Sequence, residues 1–322
     1  MKAAVTGGTG FLGSHIVAAL AERGDEIRAL VRSPARADVL RAAGGRLVLG
    51  SLEDEPALRT LAEGADVVFH LAGLVAARSE AEFERVNRGG TERVARAAAR
   101  AGVPRFVHVS SLAVTGPTVP GRPLDETSGP GPVSAYGRSK RAGEQAVRAS
   151  GVAFTIVRPP AVYGPRDRAF LPLFRLARRG VVPLLGSGAQ ELTLVHVADL
   201  TAALLAAAAA PAAHGRTYHA GNPVPVTQRA LAEAVGRAVG GGVRLLTLPA
   251  WVVRSLLGIA GVASRAAGSV PLLDLDKANE LLAPAWTCSS EALMRDSDWR
   301  AMVPLERGLE ETAHSYRKAG WL

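Results

Sequence analysis

KAAVTGGTGFLG, residues Lys2–Gly13, reads as a short apolar strand running into a glycine-rich turn and then into a helix, SHIVAALAERG, that stops at Gly24. Gly7, Gly10 and Gly13 keep such a turn tight, let backbone N–H groups approach a pyrophosphate, and allow the helix to pack closely on the strand. A glycine triplet alone is a weak signal. Here a second apolar stretch, Glu26–Val31, supplies the strand that completes a βαβ unit, so a dinucleotide site is expected. Where an acid would accept from a ribose 2′-hydroxyl, the chain instead reads ALVRSPAR. Arg32, with Ser33 and Arg36, suits a 2′-phosphate, which favours NADP(H), with NAD(H) as the alternative.

The alternation continues outward from this unit. Arg46–Leu49 reads as a strand, SLEDEPALRTLAEG as a helix opened by Ser51, and ADVVFHLAG as a strand ending in the small residues Ala72 and Gly73. Glu80–Ala101 reads as one helix carrying Asn87, which either holds active-site backbone or serves as a packing amide. Arg105–Val109 is an apolar strand ending at Ser110 and Ser111, and FTIVRPPAVYGP is another, broken at Pro159 and Pro160. Strands alternating with helices predict an α/β, Rossmann-like doubly wound parallel sheet over residues 1–165, with a returning segment near 194–210. Residues 166–322 are expected to form a smaller α+β substrate lobe. In it, Asp199 of LTLVHVADL would cap the next helix, another helix would start at Gln228, and an amphipathic helix would span Leu305–Lys318. The cleft between the two parts is the default substrate site.

A Pro/Gly-rich loop follows Ser111, and a helix is expected to open at the N-cap Ser134. Tyr136 and Lys140 are four residues apart, so they share one face of that helix. An ammonium beside a phenol, near the positive end of a helix dipole, favours the phenolate, so the pKa of Tyr136 is expected below its usual value of about 10. Such a pair suits proton donation and acceptance near neutral pH.

Composition limits the alternatives. The chain has 322 residues, 48% of them apolar, and strand pattern already at Lys2, so no secretory signal is expected and a cytoplasmic location is. One cysteine, Cys288, and seven histidines without ligand-like spacing predict neither a disulfide framework nor a metal. The net charge of +9 comes from arginines spread along the chain, which argues for a solvated surface and against nucleic acid. Residues 250–268 are apolar, but Arg254, Arg265 and three glycines interrupt them, so no spanning helix is expected. A core or substrate-covering helix is the first reading there, and membrane-surface association the second.

Taken together, TGGTGFLG from Thr6, HLAG from His70, SSLAVTG from Ser110, YGRSK from Tyr136, RPPAVYGP from Arg158 and VHVADL from Val195 resemble the extended short-chain dehydrogenase/reductase family of the NAD-dependent epimerase/dehydratase superfamily. The resemblance implies hydride transfer at nicotinamide, with Tyr136 as general acid/base. Lys140 would hold the nicotinamide ribose and tune Tyr136, and Ser111 would bond the reacting oxygen, with Ser110 as its competitor. It also implies a cofactor set of Gly7, Thr9, Gly10, Phe11, Leu12, Gly13, Arg32, Ser51, Leu52, Leu71, Ala72, Gly73, Tyr136, Lys140, Pro159 and Val162.

Two departures from the family pattern point to a substrate class. Ser51 stands where the family often has an acid, and Leu192 stands where nucleotide-sugar enzymes carry a phosphate-pairing arginine. A diphosphate would be poorly compensated without that arginine. The chain therefore looks closer to the 3β-hydroxysteroid dehydrogenase-like and dihydroflavonol reductase-like branch. The expected activity is oxidoreduction of a secondary alcohol or ketone with a large apolar part, by a protein expected to pair as a homodimer. The alternatives are a nucleotide-sugar epimerase or dehydratase, and a non-catalytic NAD(P)-binding regulator.

Overall fold

A computed structural model describes residues 1–266 and 275–322. Six strands come from the first half: β1 (Lys2–Thr6), β2 (Glu26–Val31), β3 (Arg46–Leu49), β4 (Val67–His70), β5 (Phe106–Val109) and β6 (Phe154–Arg158). With the later strand Thr217–His219 they make one parallel sheet in the order Thr217–His219, β6, β5, β4, β1, β2, β3. Because side chains alternate across a strand, β1 sends Ala3 and Val5 to one face and Ala4 to the other. Both faces are covered, which is why β4 and β5 are buried at every position. One layer contains helices Phe11–Glu22 and Val197–Ala209, with Ile16, Leu20, Leu200 and Leu204 in the core; the other contains Glu55–Ala62 and Thr91–Arg100, with Leu58, Leu61 and Val94.

Strand order reverses between β1 and β4, and ligands of open parallel sheets collect at the carboxyl ends flanking such a reversal. Two short parallel pairs, Ala161–Tyr163 with Leu194–His196 and Val181–Leu185 with Arg244–Leu248, lie outside the large sheet. Glu191–Leu192 pairs with Val226–Thr227 on one side and Ala285–Trp286 on the other. A separate core of Phe174, Leu184, Val235, Leu309 and Tyr316 supports this second half. The helix Leu305–Lys318 forms over the residues its apolar periodicity predicts.

Three local expectations need correction. Ser51 does not open the next helix: Asp54 does, accepting from Ala57 N at 3.1 Å, while Ser51 Oγ accepts from Glu53 N in the preceding turn. Asp199 caps nothing in its own helix, where His196 Nδ1 accepts from Ala198 N; its carboxylate instead takes the Met302 and Val303 N–H groups at 2.9 and 3.0 Å. The expected helix over 80–101 widens into π-helical turns at Glu84–Gly90 before resuming at Thr91–Arg100. Of the apolar run 250–268, Ala250–Ala266 is helical and residues 267 and 268 lie outside the described residues, as do the side chains of Arg36 and Arg265.

Candidate active site

β5 delivers Ser110 and Ser111 to the carboxyl edge of the sheet. Ser110 is committed elsewhere, donating to Glu144 Oε1 at 2.6 Å. Ser111 begins a tight turn, accepts from Ala113 N at 3.1 Å, and stands close enough to the Tyr136 phenol to bear on its titration. Ser134 opens the helix Ala135–Ala149, its Oγ accepting from Gly137 N at 3.1 Å, which sets Tyr136 in the first turn and Lys140 one turn later. Lys140 is buried and its Nζ donates to Val109 O at 2.6 Å, binding the helix to the end of β5.

The glycine turn reaches the same place. A Cβ on Gly7, whose φ is +76°, would stand 2.7 Å from Ala72 N, and one on Gly73 would stand 3.7 Å from Lys140 Nζ. The 71–73 backbone thus separates the glycine turn from Lys140 by a single chain width. Asn87 fixes that separation: Oδ1 accepts from Leu74 N at 2.7 Å, and Nδ2 donates to Leu74 O and to Ser139 Oγ, both at 2.9 Å. It holds active-site backbone and packs helices at once, from within the π-helical turns where such residues often sit.

The other residues expected at the cofactor lie at strand ends, in turns, at one helix start and in one short strand. Phe11, Leu12 and Gly13 form the first turn of a helix whose N-cap, Gly10, offers no side-chain cap and whose first turn has no acid, which leaves first-turn N–H groups without a side-chain partner, and Thr9 before it is exposed. Leu12, Leu71 and Val162 pack on one core cluster, and Pro159 O accepts from Leu112 N beside Ser111. Arg32 directly follows β2 and is exposed. Ser51 and Leu52 lie beyond β3, Leu52 O accepting from Arg93 Nε at 2.7 Å. Leu192 is half-buried in its three-stranded sheet.

Two groups escaped the sequence reading. Glu144, buried one turn beyond Lys140, takes the Arg158 guanidinium at Nε and Nη2, each at 2.7 Å. The signal was present: Tyr136, Lys140 and Glu144 recur every four residues on one face. Asp276 and Glu280 were also missed. They sit at the N-terminus of the Ala135–Ala149 helix, where Ala135 N donates to Asp276 Oδ2 at 2.8 Å and Ser134 Oγ to Glu280 Oε1 at 2.5 Å.

Glu280 helps reverse the expected titration of Tyr136. Burial, with Glu280 adding to it, pushes the phenol up to about 12, and Ser111 only partly opposes the shift. Burial also draws Lys140 down to about 8 against the pull of Glu144. His70 falls to about 3 and His108 well below its usual range, both through burial and the nearby ammonium, so both rings are neutral near pH 7. Because the unfolded chain keeps the Lys140 proton to higher pH than the native protein does, stability contributed by this site rises as pH climbs from about 8 to 10.5. Compared with Lys140→Met, the wild-type protein is expected to gain about 3 kcal/mol of unfolding free energy across that window. Chemical melts of both proteins at the two pH values measure it; a constant difference would contradict the shift.

Comparison with known proteins shows the family. Residues 3–221 match the model of the NAD dependent epimerase/dehydratase family. Ceramide reductase from Caulobacter vibrioides is 37% identical over 99% of this chain and 95% of its own. The 4-hydroxy-2-methyl-3-oxo-4-farnesyl-3,4-dihydroquinoline-1-oxide ketoreductase of Stigmatella aurantiaca is 39% identical over 65% of this chain and 64% of its own. Among solved structures, MoeE5 in complex with UDP-glucose and NAD superposes with a TM-score of 0.78 at 25% identity, covering 99% of both chains. With a glycine turn at the strand-order reversal, Lys140 one chain width away and a family match over more than half its length, this chain belongs to the NAD dependent epimerase/dehydratase family, and is an enzyme of the extended short-chain dehydrogenase/reductase type.

Proposed function

We propose that the enzyme is an NADP(H)-preferring oxidoreductase that interconverts a secondary alcohol and a ketone carrying a large apolar part. The observation that supports this reading is Lys140 beside Gly73, on the helix face it shares with Tyr136, while by the family resemblance Leu192 would stand where a phosphate-pairing arginine is carried. The two reductase relatives bear names that denote apolar compounds, a ceramide and a farnesylated quinoline. When bound, the nicotinamide cofactor supplies or accepts the hydride. Gly7, Thr9, Gly10, Phe11, Leu12 and Gly13 would receive the pyrophosphate, Ser51 and Leu52 would border the adenine, and Leu71, Ala72, Gly73, Pro159 and Val162 would border the nicotinamide side. Arg32 would meet a 2′-phosphate, since β2 pairs Leu30 with Thr6 and so ends beside the glycine turn.

In this reading Ser111 bonds the substrate oxygen and Tyr136 donates its proton there as negative charge develops. With its phenol held protonated to about pH 12, Tyr136 is ready for the reducing direction at neutral pH. Lys140 keeps its charge beneath the site and holds the end of β5 in register. The division into residues 1–165, with a returned segment starting near 194, and a substrate lobe over 166–322 belongs to the same proposal, as does work in the cytoplasm, where the lone Cys288 thiol stays reduced.

The main alternative, nucleotide-sugar epimerisation or dehydration, draws on the UDP-glucose complex of MoeE5; the same three residues would then serve a transient oxidation. A direct test follows NADPH and NADH absorbance with a long-chain β-keto amide and, separately, follows UDP-glucose by product analysis. Consumption of NADPH with the ketone supports the proposal. Sugar conversion without net cofactor consumption replaces it with the alternative, and binding of dinucleotide without either reaction favours a regulator.

The cradle gives a further expectation. A Cβ on Gly13 would stand 2.0 Å from Gly7 O, a clash with backbone that cannot rotate away. Gly13→Ala is expected to cost about 1–3 kcal/mol of stability and to weaken NADPH binding roughly a hundredfold by forcing the turn open. Fluorescence titration of NADPH measures the second effect, and unchanged affinity would remove the pyrophosphate from this turn.

A further inference from the structure

Among the described residues, the helix Ala250–Ala266 has two apolar faces and packs on one of them. Val253 and Leu257 are buried with Ala278 against Leu185, Leu248, Leu281 and Leu282. Trp251, Leu256, Ile259 and Val262 point the other way and are between 55% and 71% exposed. At 100° per residue these four span an arc of about 140°. They present roughly 500 Å² of apolar side chain, since a whole large apolar residue offers about 150–250 Å². This is the size of the largest apolar patch on a typical soluble monomer, and such patches are often functional.

We propose that this ridge seats the protein on the surface of an anionic lipid bilayer. No helix among the described residues is long and apolar enough to cross a membrane, so the helix would lie in the interface and not span it. Its sequence holds two arginines, Arg254 and Arg265, and no acid, within a chain of net charge +9, which complements a negative headgroup layer. Trp251 at one end adds a ring suited to headgroup depth. A second copy of the chain fits less well, because the ridge is smaller than the roughly 800 Å² that each partner commits to a standard protein interface.

The ridge is also tied to the active site. The helix Leu275–Leu281 packs beneath it through Ala278 and, through Asp276 and Glu280, holds the first turn of the helix bearing Tyr136. Docking would therefore place the site next to the lipid phase. Direct entry of an apolar substrate from the bilayer rests on the proposed function; the docking itself does not.

The test uses the full chain and vesicles of phosphatidylglycerol and phosphatidylcholine in equal parts, with pure phosphatidylcholine as comparison. Wild-type protein is expected to float with the anionic vesicles. The double variant Ile259→Asp, Val262→Asp should partition roughly a hundredfold more weakly, since burying each such side chain is worth about a factor of ten. Its melting temperature and its turnover of a short, water-soluble ketone should stay at wild-type values. Wild-type protein that stays in solution, or a variant that floats equally well, overturns the proposal. So does a lipid-free dimer that the same variant converts to monomer, which would assign the ridge to a second copy. Vesicle binding without ketone reduction would leave the docking standing and remove the proposed substrate.

Discussion

Tyr136→Phe is expected to lower turnover of an apolar ketone by about a thousandfold, the middle of the range for loss of a general acid. Fold and cofactor affinity should change little, because the substitution removes a single hydroxyl, worth about 1 kcal/mol. The pH dependence of the wild-type enzyme should show why. Burial and Glu280 keep the phenol protonated to about pH 12, so the reductive rate is expected to stay level from pH 6 to 8. The oxidative rate, which needs the phenolate, should climb with pH over the same range. Steady-state rates in both directions check this. A variant retaining a tenth or more of wild-type turnover would move the proton donor elsewhere.

Glu144→Ala should be the most destabilising single change near the site. The carboxylate takes two bonds from Arg158 and one from Ser110, all in the buried zone behind Lys140. Removing it leaves the guanidinium buried without its counter-charge, at a cost of about 3–5 kcal/mol. For a protein of ordinary stability, about 5–15 kcal/mol, that is a large share of the total. Adding Arg158→Met removes the stranded charge and is expected to restore most of the melting temperature, because the two effects are coupled. Activity should not return with it, since Ser110 would still lack its anchor and the adjacent Ser111 would drift from the phenol. If the double variant melts as low as Glu144→Ala alone, charge is not the cause.

How much of this could be read from the sequence depended on how local the cause was. β2 and β3 span Glu26–Val31 and Arg46–Leu49 as expected, because apolar patterning and flanking glycines fix them over a few residues. The Ser134 cap was legible for the same reason. Asp54 was hidden by Ser51, a residue of similar capping strength three positions earlier, and the choice between them rests on the turn that Ser51 itself makes. Asp199 looked like a cap because it follows a strand, yet its partners lie a hundred residues away. The sign of the Tyr136 shift failed for a related reason. A sequence shows the lysine four residues on, but neither the depth of the phenol nor the acid arriving from residue 280.

The strand Thr217–His219 has a consequence for biosynthesis. It borders β6, and the helix just before it, Val197–Ala209, covers one side of the same sheet. A nascent chain that has emerged only through residue 165 therefore displays an open β-edge and a bare apolar floor, both hazards for aggregation. The first half must wait on the ribosome for its last border. For the same reason, a hybrid that trades second halves between relatives would exchange that border together with whatever selects the substrate.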